Sequence, residues 1–315
     1  MTRRRGRAPA SGVDLTTSIG SLELPNPVMT ASGTAGHGAE LGAYLDLGSL
    51  GAVVVKSLSD EPWPGNPAPR VHPTAGGMLN SVGLQGPGVE VWLEEELPAL
   101  QATGARIVAS IWARTLEGYY KAASMLAGSP PAVVAVEVNV SCPNIEDRRR
   151  MFAHSPSATA EALDAASACG RPRWAKLSPN VTDITEIAAA ALGAGAEALT
   201  LVNTVMGLAI DVDRRHPVLG GGGGGLSGPA IRPVGVRAVF ECHAAFPGAA
   251  LIGAGGVGSG RDAVEYVMAG ARAVQVGTAT FADPRAPARV LGEISHWCRR
   301  HGVVRLDELI GAAHG

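Results

Sequence analysis

The chain has 315 residues, 46% of them hydrophobic and 17% charged, with a formal net charge of -2 and a pI near 6.5. This balance suits a chain that buries a substantial core, and it excludes a disordered protein and any global field that would recruit DNA, RNA or an anionic membrane. No apolar run reaches about 18 residues, which excludes a bilayer-spanning helix and points to a soluble protein, and four cysteines standing far apart suit the reducing cytoplasm.

At the N-terminus Arg3, Arg4, Arg5 and Arg7 precede Ala, Pro, Ser and Gly rather than an apolar signal core, so residues 1–12 read as a disordered basic tail and 13–315 as a single domain. Residues 13–24 place a Gly20-Ser21 turn between β-compatible stretches and predict a hairpin. From residue 27 one phrase recurs: an apolar run rich in Val, Ile and Ala, a Gly or polar turn, then a longer helix-compatible segment. Strands are predicted at 27–32, 52–57, 106–112, 134–141, 174–178, 198–203, 250–255 and 273–277. Helix candidates include 89–102, 158–168, 182–192, 231–245 and 260–269. Continuous apolar strands alternating with helices imply a parallel sheet covered on its outer face. Eight such units predict the α/β class and a (β/α)8 TIM barrel, with the hairpin capping its bottom. Three connections, 58–88, 142–157 and 204–230, exceed the usual length. All follow strands, where the active-site loops of such a barrel lie.

The groups that end the strands are the most informative pattern. They are Ser32, Lys56 with Ser57, Ser110, Asn139 with Cys142, Lys176, Asn203 with Thr204, Gly255 with Gly256, and Gly277 with Thr278. Unpaired burial of lysines and asparagines is costly, so their recurrence at apolar strand ends points to convergence on a polar ligand. G-A-G-G at 253–256 and V-G-T at 276–278 each lead into a helix and predict a phosphate site. Either motif alone reads equally well as a tight turn, but two at matching strand ends favour the anion. A single lysine at a strand end commonly snorkels to water. Two, Lys56 and Lys176, suggest one beside a substrate and one beside a cofactor group that becomes negative on reduction.

Cys142 sits in N-V-S-C-P-N at 139–144, opening a long loop at the barrel mouth. A free cysteine is ordinarily a small core hydrophobe; this position marks a reagent instead. As a base with an ordinary pKa of about 8.5 it predicts activity that rises toward alkaline pH. Cys142, Cys169, Cys242 and Cys298 form no C-x-x-C pair, and the eight histidines form no H-x-H or H-E-x-x-H. Neither a disulfide framework nor a metal is therefore expected.

The segments N-P-V-M-T-A-S-G-T (26–34), V-V-V-K-S (53–57), G-M-L-N-S-V-G-L-Q-G-P-G (77–88), N-V-S-C-P-N, V-N-T-V-M-G (202–207), G-L-S-G-P-A-I-R-P (225–233), I-G-A-G-G-V and Q-V-G-T-A carry a resemblance. From about residue 15 to 310 the chain resembles the class 1 dihydroorotate dehydrogenases, B type. The resemblance implies FMN held by Ser32, Lys56, Ser57, Ser110, Asn139, Lys176, Val202, Gly228, Gly255, Gly256, Gly277 and Thr278. It implies orotate bound by Lys56, Asn80, Ser81, Val82, Gly83, Leu84, Asn139, Asn144, Asn203 and Thr204. In that mechanism Cys142 removes the proton at carbon 5 of dihydroorotate, hydride passes from carbon 6 to flavin N5, and Lys176 faces the pyrimidine end of the reduced flavin. A homodimer is implied too, with a second subunit carrying FAD and an iron-sulfur cluster, for which this chain has no suitable cysteine array. Three features depart from the family pattern: Ser110 replaces an asparagine, 145–153 reads I-E-D-R-R-R-M-F-A instead of a glycine-containing lid, and six glycines fill 220–225. The altered lid, with Arg148 to Arg150, keeps open an FMN oxidoreductase acting on another dihydropyrimidine or cyclic amide.

Overall fold

A computed structural model describes residues 12–142 and 151–315. Its centre is an eight-stranded parallel sheet with the strands β1 (Val28–Thr30), β2 (Val53–Val54), β3 (Ile107–Ile111), β4 (Val133–Asn139), β5 (Arg173–Lys176), β6 (Ala198–Leu201), β7 (Ala250–Ala254) and β8 (Ala273–Val276). Neighbours follow chain order from β2 round to β8, and β8 pairs with β1. A bridge between Met29 and Ala52 joins β1 to β2 and closes the barrel. The expected (β/α)8 TIM barrel is the fold observed, and all eight predicted strands form.

The five predicted helices are present as Val89–Val91 continuing through a π-helical stretch into Leu97–Ala102, then Pro156–Ala165, Ile184–Gly193, Arg232–Ala245 and Gly260–Met268. Two more, Leu116–Leu126 and Ala286–His301, complete the outer ring, while the first crossover carries the 3-10 turns Glu40–Ala43 and Leu47–Ser49. Good caps explain several starts: Thr115, Ser155, Asp183 and Ser259 each accept a backbone N–H of their helix's first turn.

The N-terminal hairpin pairs Thr17–Ile19 with Leu22–Leu24, and Gly20 takes φ +57°, which a turn this tight requires. Ile19 and Leu24 are buried in one cluster with Met29, Trp174 and Ile252 inside the barrel. Thr17 Oγ1 donates to the Arg272 carbonyl at 2.9 Å and Ser21 N–H to Glu197 at 2.8 Å. Both partners precede strands, so the hairpin closes the bottom, as predicted. Burying each of its two apolar side chains contributes about 1.5–3 kcal/mol.

The opposite face holds a feature absent from the sequence-based expectations. The long connections 58–88 and 204–230 join in a four-stranded antiparallel sheet, ordered Val205–Gly207, Gly224–Ser227, Gly77–Asn80, Val71–Thr74. This roof explains part of the glycine run. A Cβ on Gly224 would lie 2.5 Å from the Asn80 carbonyl oxygen, and one on Gly225 would lie 2.1 Å from Thr204 Oγ1.

Candidate active site

Alternate residues of a barrel strand face the axis. Ala52, Val54, Val108, Ala135, Trp174, Ala198 and Ala273 belong to the apolar inner cluster. Two residues beyond Val54, Val108, Ala135, Trp174, Ala198 and Ala273, the inward positions become Lys56, Ser110, Glu137, Lys176, Thr200 and Gln275. The barrel therefore turns from apolar to polar within one repeat of every one of these strands.

The centre of the polar layer is Glu137, fully buried. Its carboxylate accepts hydrogen bonds from Thr200 Oγ1 at 3.0 Å, Gln275 Nε2 at 2.5 Å and Ser110 Oγ at 3.5 Å, and stands 3.6 Å from Lys176 Nζ. The Lys176 ammonium donates in turn to Gln275 Oε1 and Ser32 Oγ, each at 3.2 Å. Glu137 and Gln275 are absent from the predicted site. Their signal is legible in retrospect, because a single carboxylate in V-V-A-V-E-V-N demands a cationic partner when the strand is buried.

Above this layer Ser57, Asn139 and Asn203 are linked in series, and Ser110 joins them to it. Ser57 Oγ lies 2.9 Å from Ser110 Oγ, Asn139 Nδ2 donates to Ser57 Oγ at 3.3 Å, and Asn203 Nδ2 donates to Asn139 Oδ1 at 3.2 Å. Ser110 is fully buried beneath Ser57, within the support of the site. Thr204 N–H donates to Asn203 Oδ1 at 2.8 Å, and Val202 N–H to the Ala254 carbonyl at 2.9 Å.

Cys142 follows β4 and is fully buried. Its thiol donates to the Asn139 carbonyl at 3.4 Å, and its own carbonyl accepts Phe152 N–H at 3.2 Å. Burial pushes the thiol up to about 12, against the pull of the Tyr119 hydroxyl and Lys56. The Lys56 ammonium is itself held below the ordinary lysine value, chiefly by burial and then by Lys176, with Cys142 opposing. Cys142, Lys56 and Lys176 thus share one electrostatic environment.

The predicted phosphate motifs come together with Gly228. Gly228, Gly255 and Gly256 take φ of +95°, +112° and +71°. A Cβ on Gly256 would lie 2.9 Å from the Gly228 carbonyl oxygen, and one on Gly228 would lie 3.6 Å from Thr278 Cγ2. Thr278 Oγ1 donates to Ser227 Oγ at 2.8 Å, tying the loop after β8 to the roof. A Cβ on Gly277 would approach Ala31 to 3.2 Å. Bare backbone gathered from three loops suits an anion.

The roof brings 80–84 over the same mouth. Asn80 Nδ2 donates to the Gly225 carbonyl at 3.3 Å, Trp63 Nε1 donates to the Gly83 carbonyl at 3.0 Å, and Leu84 holds φ +62°. Ser81 Oγ is engaged by Asn66 Nδ2 at 2.8 Å. A cleft of about 790 Å³ opens beside Lys56 and Val82, bounded by Gly33, His37, Trp63 and Phe281. Asn144 and Arg148 to Arg150 lie outside the described residues.

Comparison with known proteins matches residues 14–297 to the family model described as dihydroorotate dehydrogenase. The chain is similar to the dihydroorotate dehydrogenase B (NAD(+)) catalytic subunit of Geobacter sp. (strain M21), with 45% identity over 95% of this chain and 98% of the relative. It is also similar to the subunits of the same name from Desulforudis audaxviator, at 47% over 96% and 98%, and Alkaliphilus metalliredigens, at 44% over 95% and 99%.

Proposed function

The chain belongs to the dihydroorotate dehydrogenase family, and from that premise we propose that it oxidises (S)-dihydroorotate to orotate in de novo pyrimidine biosynthesis, using FMN and Cys142 as base. The observation that carries this reading is the meeting, at one barrel mouth, of Cys142, Lys56, the Asn139–Asn203 pair and a side-chain-free glycine cradle.

The cradle fits the phosphate of FMN: Gly228, Gly255, Gly256, Gly277 and Thr278 would hold it, and any Cβ on Gly256 would crowd both Gly228 and Arg232. Ser32, Ser57, Ser110, Asn139, Val202 and the ammonium groups of Lys56 and Lys176 belong to the flavin side of the site. FMN, when bound, supplies a two-electron acceptor whose N5 takes the hydride from carbon 6 of the substrate.

The chain's own residues do the rest. Lys56 offers a charge-assisted contact to the substrate carboxylate, and the amides of Asn80, Asn144 and Asn203 match the donors and acceptors of its imide. Val82, Gly83 and Leu84 close over it with Ser81 and Thr204 at the edges. The Cys142 thiolate takes the proton from carbon 5, leaving the new carbon–carbon double bond. Lys176, anchored by Glu137, presents fixed positive charge where negative charge develops on reduction. A second subunit carrying FAD and an iron-sulfur cluster would accept the electrons, in an assembly built on a homodimer. The relatives' description as catalytic subunits of an NAD(+) enzyme supports that division of labour.

Anaerobic mixing of the yellow protein with dihydroorotate tests the reading. Bleaching of the flavin band near about 450 nm is expected. The Cys142→Ser variant is expected to bleach about 10²–10⁴-fold more slowly, the contribution typical of a positioned base. A protein that stays oxidised with dihydroorotate but bleaches with dihydrouracil would replace the substrate and keep the fold.

A further inference from the structure

A buried base at a pKa of about 12 presents a chemical problem, because the reactive form is the thiolate and burial disfavours that form. A thiolate also loses the one hydrogen bond seen for the thiol, its donation to the Asn139 carbonyl at 3.4 Å. Once deprotonated, the sulfur faces that carbonyl as a second acceptor, and it needs a donor.

The donor is next to it. Tyr119, on the helix Leu116–Leu126, is fully buried, and its hydroxyl donates to the same Asn139 carbonyl at 2.7 Å. The ring is held edge-on against Phe152 with centroids 5.3 Å apart. Phe152 in turn donates its N–H to the Cys142 carbonyl. Cysteine and tyrosine are thus fixed to one another through two routes, the shared carbonyl and Phe152. A hydroxyl proton turns about its C–O bond without moving the ring.

We propose that Tyr119 is a positioning residue for Cys142: its hydroxyl donates to the Asn139 carbonyl while Cys142 is a thiol, and turns to donate to the sulfur when Cys142 is a thiolate. The exchange conserves protons. The carbon 5 proton passes to sulfur, the new S–H donates to the Asn139 carbonyl, and Tyr119 keeps its own proton throughout. Lys56 adds positive charge but is also committed to the substrate, so the hydroxyl is the donor dedicated to the base. Burial, then the neighbouring Cys142, holds the Tyr119 hydroxyl far above the ordinary tyrosine value, so it remains a donor over the working pH range.

This inference rests on Cys142 being the base, and the experiment separates the two. The rate of anaerobic flavin bleaching by dihydroorotate is measured against pH for wild type, Tyr119→Phe and Cys142→Ser. In parallel, alkylation of Cys142 by iodoacetamide is followed by peptide mass spectrometry, with Cys169, Cys242 and Cys298 as internal references. Tyr119→Phe is expected to move both profiles to higher pH by about one unit, equivalent to about tenfold less thiolate at neutral pH. A merely structural role would lower the bleaching rate and leave the alkylation profile in place, which would overturn the proposal. Wild-type activity in Cys142→Ser would instead overturn the base itself. Should Tyr119→Phe fail to fold, 3-fluorotyrosine at position 119 supplies a more acidic donor of nearly the same shape. It is expected to shift the alkylation profile to lower pH, and an unmoved profile would overturn the proposal equally.

Discussion

The lower and upper halves of the barrel interior are made by the same strands, and a step of two residues along each separates them. Below, Ala135, Trp174, Ala198 and Ala273 meet Ile19 and Leu24 of the hairpin in a core closed to water. Above, Glu137, Lys176, Thr200 and Gln275 bury as much polarity as a small active site needs, and satisfy it internally. The lower half can be judged by volume alone. In the upper half each group depends on its partner, because a charge left unpaired in a dry interior is far more costly than a methyl group lost from it. Chemistry therefore sits at one end of this set of strands, while both ends carry stability by different means, and substitutions should sort accordingly.

The largest expected stability effect lies above. Glu137→Gln leaves Lys176 buried without its counter-charge and is expected to cost about 3–5 kcal/mol in denaturant unfolding. Adding Lys176→Met to that variant should recover much of the loss, since a neutral pair of similar volume replaces a broken ionic one and no uncompensated charge stays buried. A Glu137→Gln protein as stable as wild type would show that the carboxylate is not the partner on which the burial of Lys176 depends. In the lower half, Leu24→Ala is expected to cost about 3 kcal/mol through lost burial and the residual cavity. Its turnover per folded, flavin-loaded molecule should stay near wild type. If that turnover falls as steeply as the stability, the two halves are not independent.

The same division governs how much could be read from the sequence. The strands were legible because apolar runs bounded by turns leave little choice of register in a barrel buried on both faces of its sheet. Lys56, Lys176, Asn139 and the paired glycine motifs were legible as a set, since polar groups at the ends of apolar strands call for an explanation. Glu137 was not, because attention to strand ends passes over an acid placed two residues inside one. Tyr119 was hidden differently: it lies on a helix outside the barrel, and only the fold brings its hydroxyl to the Asn139 carbonyl. The roof could not be read from local patterns at all. Its central pairing joins Asn80 to Gly225, far apart in the chain, through strands of glycine and mixed polarity that carry no alternation.

The smallest expected effect compares two buried cysteines, one at the mouth and one in the helical shell. Burial pushes both Cys142 and Cys242 up to about 12 from an ordinary value of 9.0. At Cys142 Tyr119 and Lys56 oppose burial, whereas at Cys242 Glu241 and Asp183 reinforce it. Below pH 9 both folded and unfolded chains keep these protons, and the shifts leave stability unchanged. Above it the unfolded chain releases protons that the folded chain retains, so stability falls as pH rises toward 12. Over the first unit each thiol contributes a loss of at most about 1 kcal/mol. Melting temperature measured against pH should be flat with respect to these groups near neutrality and decline in the alkaline range. Cys242→Ala should make that decline shallower without altering the pH profile of flavin bleaching, because nothing around Cys242 favours its thiolate. If Cys242→Ala moved the bleaching profile, the assignment of alkaline activity to the thiol at the barrel mouth would fail.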